Sequence, residues 1–248
     1  MATYAKASYN AAKYAANRPT YPPQLFDLLF RYHERGANVR FNTAVDIGCG
    51  PGQATLELTP FKKIIGVDPS DTMIQQARNN LTTAGCGYSE FRLSYHPSAT
   101  TLIHAYSQGS DPENSLGPYW ERPGRTILDE HLVAIPDPEA VVPGQFMDFQ
   151  RLYFSGEHHP MLPSPQPVIL KKTMTWNGLL AYLRTFSSLH TLHEKYPEDL
   201  QRSDGDIAVR VWNQLKADVV RNNRSDAPRN MDEVDVEWPM AVILARHV

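Results

Sequence analysis

The sequence predicts an α/β fold on two observations. An apolar run enters the glycine-rich turn Val45-Asp46-Ile47-Gly48-Cys49-Gly50-Pro51-Gly52, and a second apolar run, Ile64-Ile65-Gly66-Val67, ends on the acid Asp68. Strand, glycine turn, helix, strand and terminal acid, in that order, make a nucleotide-binding half unit. Glycines at 48, 50 and 52 let the backbone turn sharply and approach a ligand more closely than a β-carbon allows. Asp68, 22 positions after Asp46, stands where a carboxylate accepts both hydroxyls of a ribose. A helix opening after Gly52 would offer N–H groups to a carboxylate or other anion.

The remaining elements follow in chain order. Residues 8–35 read as a helix, a break at Arg18-Pro19-Thr20-Tyr21-Pro22-Pro23, and a second helix bearing Leu25, Phe26, Leu28, Leu29 and Phe30. The prolines forbid one continuous helix and push the residues before them into extended conformations. Residues 44–48 form the first strand, 53–58 begin the first helix of the sheet, and 63–67 form the second strand. Ser70 is an N-cap, and Met73, Ile74 and Ala77 follow at helical spacing, with Met73 read as core packing. Alternation over 88–94 predicts a third strand. The apolar, β-branched content of 44–47 places that strand innermost in a parallel three-stranded unit covered on both faces. A short helix at 99–107 and a polar loop at 109–115 come next. Residues 146–154 alternate as a strand, 160–167 are a proline-rich loop, and 168–172 lead into Trp176. Helical periodicity returns over 179–192 and 206–220. The chain closes on 234–238 and 241–246, one strand or a pair split by Pro239.

The spacing around the glycines is Gly-x-Gly-x-Gly with an acid two residues before it, not the dinucleotide pattern Gly-x-Gly-x-x-Gly. It resembles motif I of class I S-adenosylmethionine (SAM) methyltransferases, D-x-G-C-G-x-G. Tyr14-x-x-x-Arg18-Pro19-x-Tyr21-Pro22 is similar to the N-terminal signature of the trans-aconitate type, where the segment closes over the cofactor. Leu116-Gly117-Pro118-Tyr119-Trp120-Glu121-Arg122-Pro123-Gly124-Arg125 and Tyr182-Leu183-Arg184-Thr185-Phe186-Ser187 look like further segments of that family. The resemblance implies a Rossmann-like class I methyltransferase fold, with cofactor contacts at Asp46, Gly48, Gly50, Gly52 and Asp68.

Between residues 95 and 115 the family pattern lapses. The adenine-contacting acid, the fourth strand facing the methyl group and the fifth strand have no counterpart there. The resemblance therefore implies a fold truncated in the middle of the sheet, short by about two βα units or roughly 60 residues. A vacated edge beside the first strand leaves backbone groups to pair. Strand 241–246, or a second subunit in a homodimer, is expected to fill it. The organisation expected is one degenerate domain over 1–248, with an N-terminal helical cap (1–40), a glycine-motif half (41–95) and a C-terminal half (116–248).

At 248 residues, 42% of them hydrophobic, the chain can bury one good core. Its 24 basic residues are scattered among 27 acidic ones, so no stripe follows a phosphate backbone and no nucleic-acid partner is expected. No apolar run has the length of a membrane span, and the first 16 residues lack the core of a signal peptide. A cytoplasmic protein with a retained N-terminus is the expectation. Two cysteines, Cys49 and Cys86, supply neither a disulfide framework nor a metal quartet. His158-His159 sits beside prolines, and His190-x-x-His193 lacks a third ligand at metal spacing, so no metal is expected. Without a Gly-x-Ser-x-Gly motif or a base beside either cysteine, covalent catalysis has no support.

Aromatic and guanidinium residues concentrate in the cap and tail. Tyr14, Tyr21, Tyr119, Trp120 and Trp176 are candidates to line a small-molecule pocket, and Arg18, Arg125 and Arg184 to hold a carboxylate or polarise a carbonyl. Core packing is the competing reading for each aromatic. Tyr119, Trp120 and Arg125 lead because the family segment they resemble stands near its active site. Three functions compete. The first is a repurposed methyltransferase fold acting as a cofactor-independent cyclase or pericyclase of Diels–Alder type, which needs only a folded substrate, apolar walls and a hydrogen bond and binds SAM weakly. The alternative is an active SAM-dependent methyltransferase of a small carboxylic acid. The third is a noncatalytic partner protein or an incomplete gene model.

Overall fold

The computed structural model describes residues 3–6, 8–84, 115–222 and 232–248. In chain order its elements are α1 (Ala11–Asn17), α2 (Pro23–His33), β1 (Thr43–Ile47), β2 (Lys63–Val67), α3 (Asp71–Ala84), α4 (Gly124–Asp129), α5 (Pro138–Val141), β3 (Phe146–Phe154), β4 (Leu170–Thr175), α6 (Trp176–Leu183), α7 (Ser187–Lys195), α8 (Ile207–Asn222), β5 (Glu233–Trp238) and β6 (Met240–His247). Among the described residues the strands pair as three two-stranded sheets, β1–β2, β3–β6 and β4–β5. The described residues divide into two compact units. Residues 3–6, 8–19, 115–121, 172–222 and 232–236 make the first, and 20–84, 122–171 and 237–248 make the second.

The second unit holds the glycine turn. Strands β1 and β2 run parallel in register from Thr43 opposite Lys63 to Ile47 opposite Val67. Ser70 opens α3 as the sequence predicts: its hydroxyl accepts the Met73 N–H at 3.3 Å, and its carbonyl accepts the Ile74 N–H at 2.9 Å. Met73 and Ala77 are fully buried, which places Met73 in the core. In the same unit β3 and β6 pair antiparallel, Gln150 facing Leu244 and Phe154 facing Met240. The register shifts between Met147 and Gln150, where Asp148 adopts φ 53° and its carbonyl accepts the Tyr32 hydroxyl at 2.7 Å. Such an extra residue bends one strand against its partner.

Two expectations are corrected here. The helix expected over 53–58 is a single 3-10 turn, Thr55–Glu57. Gly52 enters it at φ 87°, Thr55 turns its hydroxyl onto Asp46, and Pro60 follows two residues after Leu58, so no second turn can propagate. Among the described residues β1 pairs with β2; the strand expected on its other side, 88–94, lies outside them, and Val45 and Ile47, which strand alternation sends to one face, are 54% and 53% exposed. The C-terminal strand does not fill the edge of β1, because β6 satisfies its backbone against β3. The expected third strand at 88–94, the helix at 99–107 and the truncation placed between 95 and 115 lie outside the described residues.

The first unit is mostly helical. Thr175 caps α6, its side chain accepting the Gly178 N–H at 3.1 Å. The periodicity over 179–192 resolves into two helices, α6 and α7. Thr185 donates its hydroxyl back to the Tyr182 carbonyl at 2.6 Å, and Phe186 is extended at φ −73°, ψ 131°. A hydroxyl that competes for the helix carbonyls ends the first helix there. Helix α8 packs against α6, with the Trp212 indole N–H donating to the Trp176 carbonyl at 2.6 Å. Asp199 secures the start of α8 by accepting from the Ile207 N–H at 2.8 Å and from Arg210 at 2.9 Å. Pro239 does split the C-terminal segment, sending β5 to β4 and β6 to β3.

Candidate functional site

The glycine turn is closed by backbone and by one acid. The N–H groups of Gly48 and Cys49 both donate to the Val67 carbonyl, at 2.5 and 3.0 Å, and the Gly52 N–H donates to the Cys49 carbonyl at 2.9 Å. Asp68 takes the Gly50 N–H on Oδ2 and the Ser70 N–H on Oδ1, each at 2.9 Å. These four turn N–H groups therefore bind the chain itself. The element after Gly52, expected as a helix that offers N–H groups to an anion, is a single 3-10 turn, Thr55–Glu57. At Gly50, φ 52°, a β-carbon would meet no described atom within 4 Å; glycine is required there by conformation.

Two acids face this turn. Asp46, on β1, accepts the Thr55 hydroxyl at 2.6 Å. Burial raises its carboxyl above the ordinary value, and the Thr55 bond opposes that rise. Burial likewise raises Asp68; the Ser70 and Gly50 N–H groups lower it, and the charge of Asp46 raises it again. Each Asp68 oxygen spends one lone pair on the turn and keeps another. Cys49, between the acids, is buried, and its thiol is pushed upward by burial first and by Asp46 and Asp68 after it. It is a packed thiol, not a nucleophile.

The cap and tail candidates fall in both units. In the first, the Arg18 guanidinium lies over the rings of Tyr14, Tyr182 and Phe186 at 4.8, 5.0 and 5.2 Å. It also donates to the Thr185 carbonyl at 3.4 Å, which accepts the Tyr9 hydroxyl at 2.5 Å as well. Burial works against the Arg18 charge, and Tyr14, Tyr182, Tyr4 and Tyr9 more than offset it, holding the group above its ordinary value. Trp120 packs its ring 5.3 Å from Phe186, and Tyr119, buried, stands edge-on to Tyr196 at 6.1 Å. Trp176 is buried with its ring toward Lys216, while Arg184 reaches Asp206 at 3.2 Å. In the second unit Tyr21 is half-buried, and Arg125, also buried, pairs with Asp129 at 2.8 Å. Arg18, Tyr14, Trp120 and the α6–α7 junction thus come together, as do Asp46, Asp68 and the glycines.

Thr55 is the residue that sequence reasoning passed over. Its position within an expected helix hid it; a hydroxyl nine residues after the motif acid was the available signal. His193 meets Asp199 at 3.2 Å and His190 meets Ser8 at 3.1 Å. Among the described residues no three His, Cys, Asp or Glu side chains converge as a metal site, and no helix is long and apolar enough to cross a membrane.

Comparison with known proteins bears on the same turn. Residues 44–101 match the family described as Methyltransferase domain. A Saccharomyces cerevisiae protein named as a probable SAM-dependent methyltransferase is 38% identical over 76 residues, 30% of this chain and 25% of its own length. The aligned stretch thus spans a quarter of that relative. A Dictyostelium discoideum protein, named by inference a methyltransferase, is 23% identical over 92% of this chain and 90% of its own. Among solved structures, an Anaeromyxobacter dehalogenans protein described as a type II methyltransferase by inference aligns at a TM-score of 0.53. That alignment has 18% identity and covers 93% of this chain and 97% of that one. The fold is methyltransferase-like α/β. The relatives' names favour the SAM-dependent alternative, and the cofactor-independent cyclase finds no support among them.

Proposed function

We propose that the protein is a SAM-dependent methyltransferase of a small organic acceptor. The observation that carries this reading is the glycine turn flanked by Asp46 and Asp68, which coincides with the segment matching the methyltransferase family. The donor set suits the cofactor: two carboxylates face a turn in which no described atom lies within 4 Å of a β-carbon built at Gly50, which fits a ligand bearing an ammonium group and a ribose diol. In this reading Asp68 accepts ribose hydroxyls through the lone pairs its backbone partners leave. Asp46 faces the amino-acid end, and Gly48, Gly50 and Gly52 shape the turn.

When bound, SAM supplies an electrophilic methyl carbon on a sulfonium. The chain's own contribution is positioning, since an in-line displacement gains most of its rate from an acceptor held close and in line. Tyr21 and Arg125, in the unit that holds the glycine turn, and Tyr14, Arg18, Tyr119, Trp120, Trp176 and Arg184, in the other, are proposed as acceptor-side residues, each set within its own unit. A carboxylic acid acceptor has to share or replace a partner that each arginine already holds: the Thr185 carbonyl for Arg18, Asp129 for Arg125, Asp206 for Arg184. Arg184 is the most available, with its side chain 45% exposed.

Incubation of the full chain with methyl-labelled SAM and a panel of small carboxylic acids tests the proposal. Label transfer that Asp46→Ala and Asp68→Ala each lower by about tenfold or more at subsaturating SAM is the expected result. A converted substrate in the absence of SAM, with no label transferred in its presence, would return the cyclase reading.

A further inference from the structure

We propose that Thr55 is a positioning residue of the cofactor site, fixing the Asp46 carboxylate toward the glycine turn; this rests on the SAM-dependent reading above. Thr55 is 4% exposed, and its Oγ1 donates to Asp46 Oδ2 at 2.6 Å, a length belonging to charge-assisted bonds. Two constraints aim the hydroxyl. Threonine is restricted at χ1 by its branched β-carbon, and its backbone is fixed within the 3-10 turn, where its carbonyl accepts the Leu58 N–H at 3.3 Å.

The surroundings of Asp46 make this bond matter. The groups acting on it in the described structure are the Thr55 hydroxyl, the Cys49 thiol and the Asp68 carboxylate. The thiol stays neutral and Asp68 carries a like charge, so neither favours ionisation of Asp46. The two acids are therefore held by different means. Asp68 has two backbone N–H donors, which no substitution of a side chain removes, whereas Asp46 depends on a side-chain hydroxyl. Burial opposes its charge, and without the O–H its carboxyl would protonate at a higher pH. An acid that has taken up a proton no longer attracts a cationic ligand group.

Thr55→Val removes the hydroxyl while keeping the branched shape, and Thr55→Ser restores it. The full chain, ligand-free, is titrated by carbon NMR of the Asp46 carboxyl; calorimetry with SAM is then run at pH 6 and pH 8. In Thr55→Val the Asp46 midpoint is expected to rise by about one unit or more, the equivalent of a bond worth about tenfold. Its SAM affinity relative to wild type is expected to fall by up to about tenfold, more at pH 6 than at pH 8, with Thr55→Ser close to wild type in both measurements. An unchanged Asp46 midpoint overturns the inference. So does an equal loss of affinity at both pH values that serine fails to restore, the mark of a merely structural change. A wild-type chain that binds no SAM overturns the cofactor role, while the ligand-free titration still decides whether Thr55 supports the Asp46 charge.

Discussion

Asp68 accepts the backbone N–H of Gly50 at 2.9 Å, so the acid at the end of β2 builds the turn in front of β1 as well as facing whatever the turn binds. With its other oxygen on Ser70, the carboxylate also ties the turn to the cap of α3. Replacing it with Asn leaves one acceptor for two N–H donors and turns an amide N–H toward one of them. An unmade bond of this kind costs about 1 to 3 kcal/mol, partly offset because a buried charge is removed. Asp68→Asn is expected to lower stability by roughly 1 kcal/mol in chemical denaturation without ligand. An unchanged midpoint and slope would show that the carboxylate does not brace the turn.

Asp46 predicts the opposite sign. Its folded-state pKa is raised, so the folded chain binds the proton more tightly than the unfolded one, and stability falls as pH rises through the folded value. Asn is neutral and keeps an oxygen for the Thr55 hydroxyl. Asp46→Asn is therefore expected to melt higher than wild type at pH 7, with the advantage vanishing below the ordinary Asp value, while SAM affinity drops. Thermal melts between pH 3.5 and 8 read this directly, and a variant less stable at pH 7 would contradict it.

Asp199 belongs to the other sign class. Burial pushes its carboxyl up, and the Ile207 N–H, Arg210 and His193 bonds outweigh that and lower it. Stability from this group is present above the unfolded pKa and lost as pH falls through the folded value. Asp199→Ala leaves Arg210 and the Ile207 N–H without that acceptor, and breaking a buried pair costs about 3 to 5 kcal/mol. A loss of that order at pH 7, shrinking in acid, is the expected outcome of denaturant unfolding across pH.

Arg18 separates packing from substrate binding. Its guanidinium lies among three rings, and such contacts are worth about 0.5 to 2 kcal/mol each. Arg18→Met is expected to lower the melting temperature by several degrees, with Lys intermediate because its point charge lacks the planar face. Lost methyl transfer at an unchanged melting temperature would assign Arg18 to the substrate instead.

The local elements were legible where one residue type decides the backbone. Pro19, Pro22 and Pro23 separate α1 from α2, Ser70 starts α3, and Pro239 divides the last two strands. The reading went astray where a side chain chose between partners. Thr55 and Thr185 both lie in helical periodicity, yet each turns its hydroxyl to a neighbour, Thr55 at the start of a lone 3-10 turn and Thr185 just past the end of α6. Periodicity records which positions are apolar and carries no record of where a hydroxyl points. Strand pairing was misjudged for a related reason: 241–246 is as apolar as a central strand, and nothing local distinguishes β1 from β3 as its partner. The motif acids and glycines were found because their spacing is itself the chemistry; the partners that orient them come from packing.

Calorimetric titration of the full chain with SAM decides whether the glycine turn is a cofactor site. Saturable one-to-one binding that Asp68→Ala and Asp46→Ala each weaken by about tenfold or more is expected. No saturable heat up to about 1 mM SAM between pH 6 and 8, from chain shown to be folded, would contradict it.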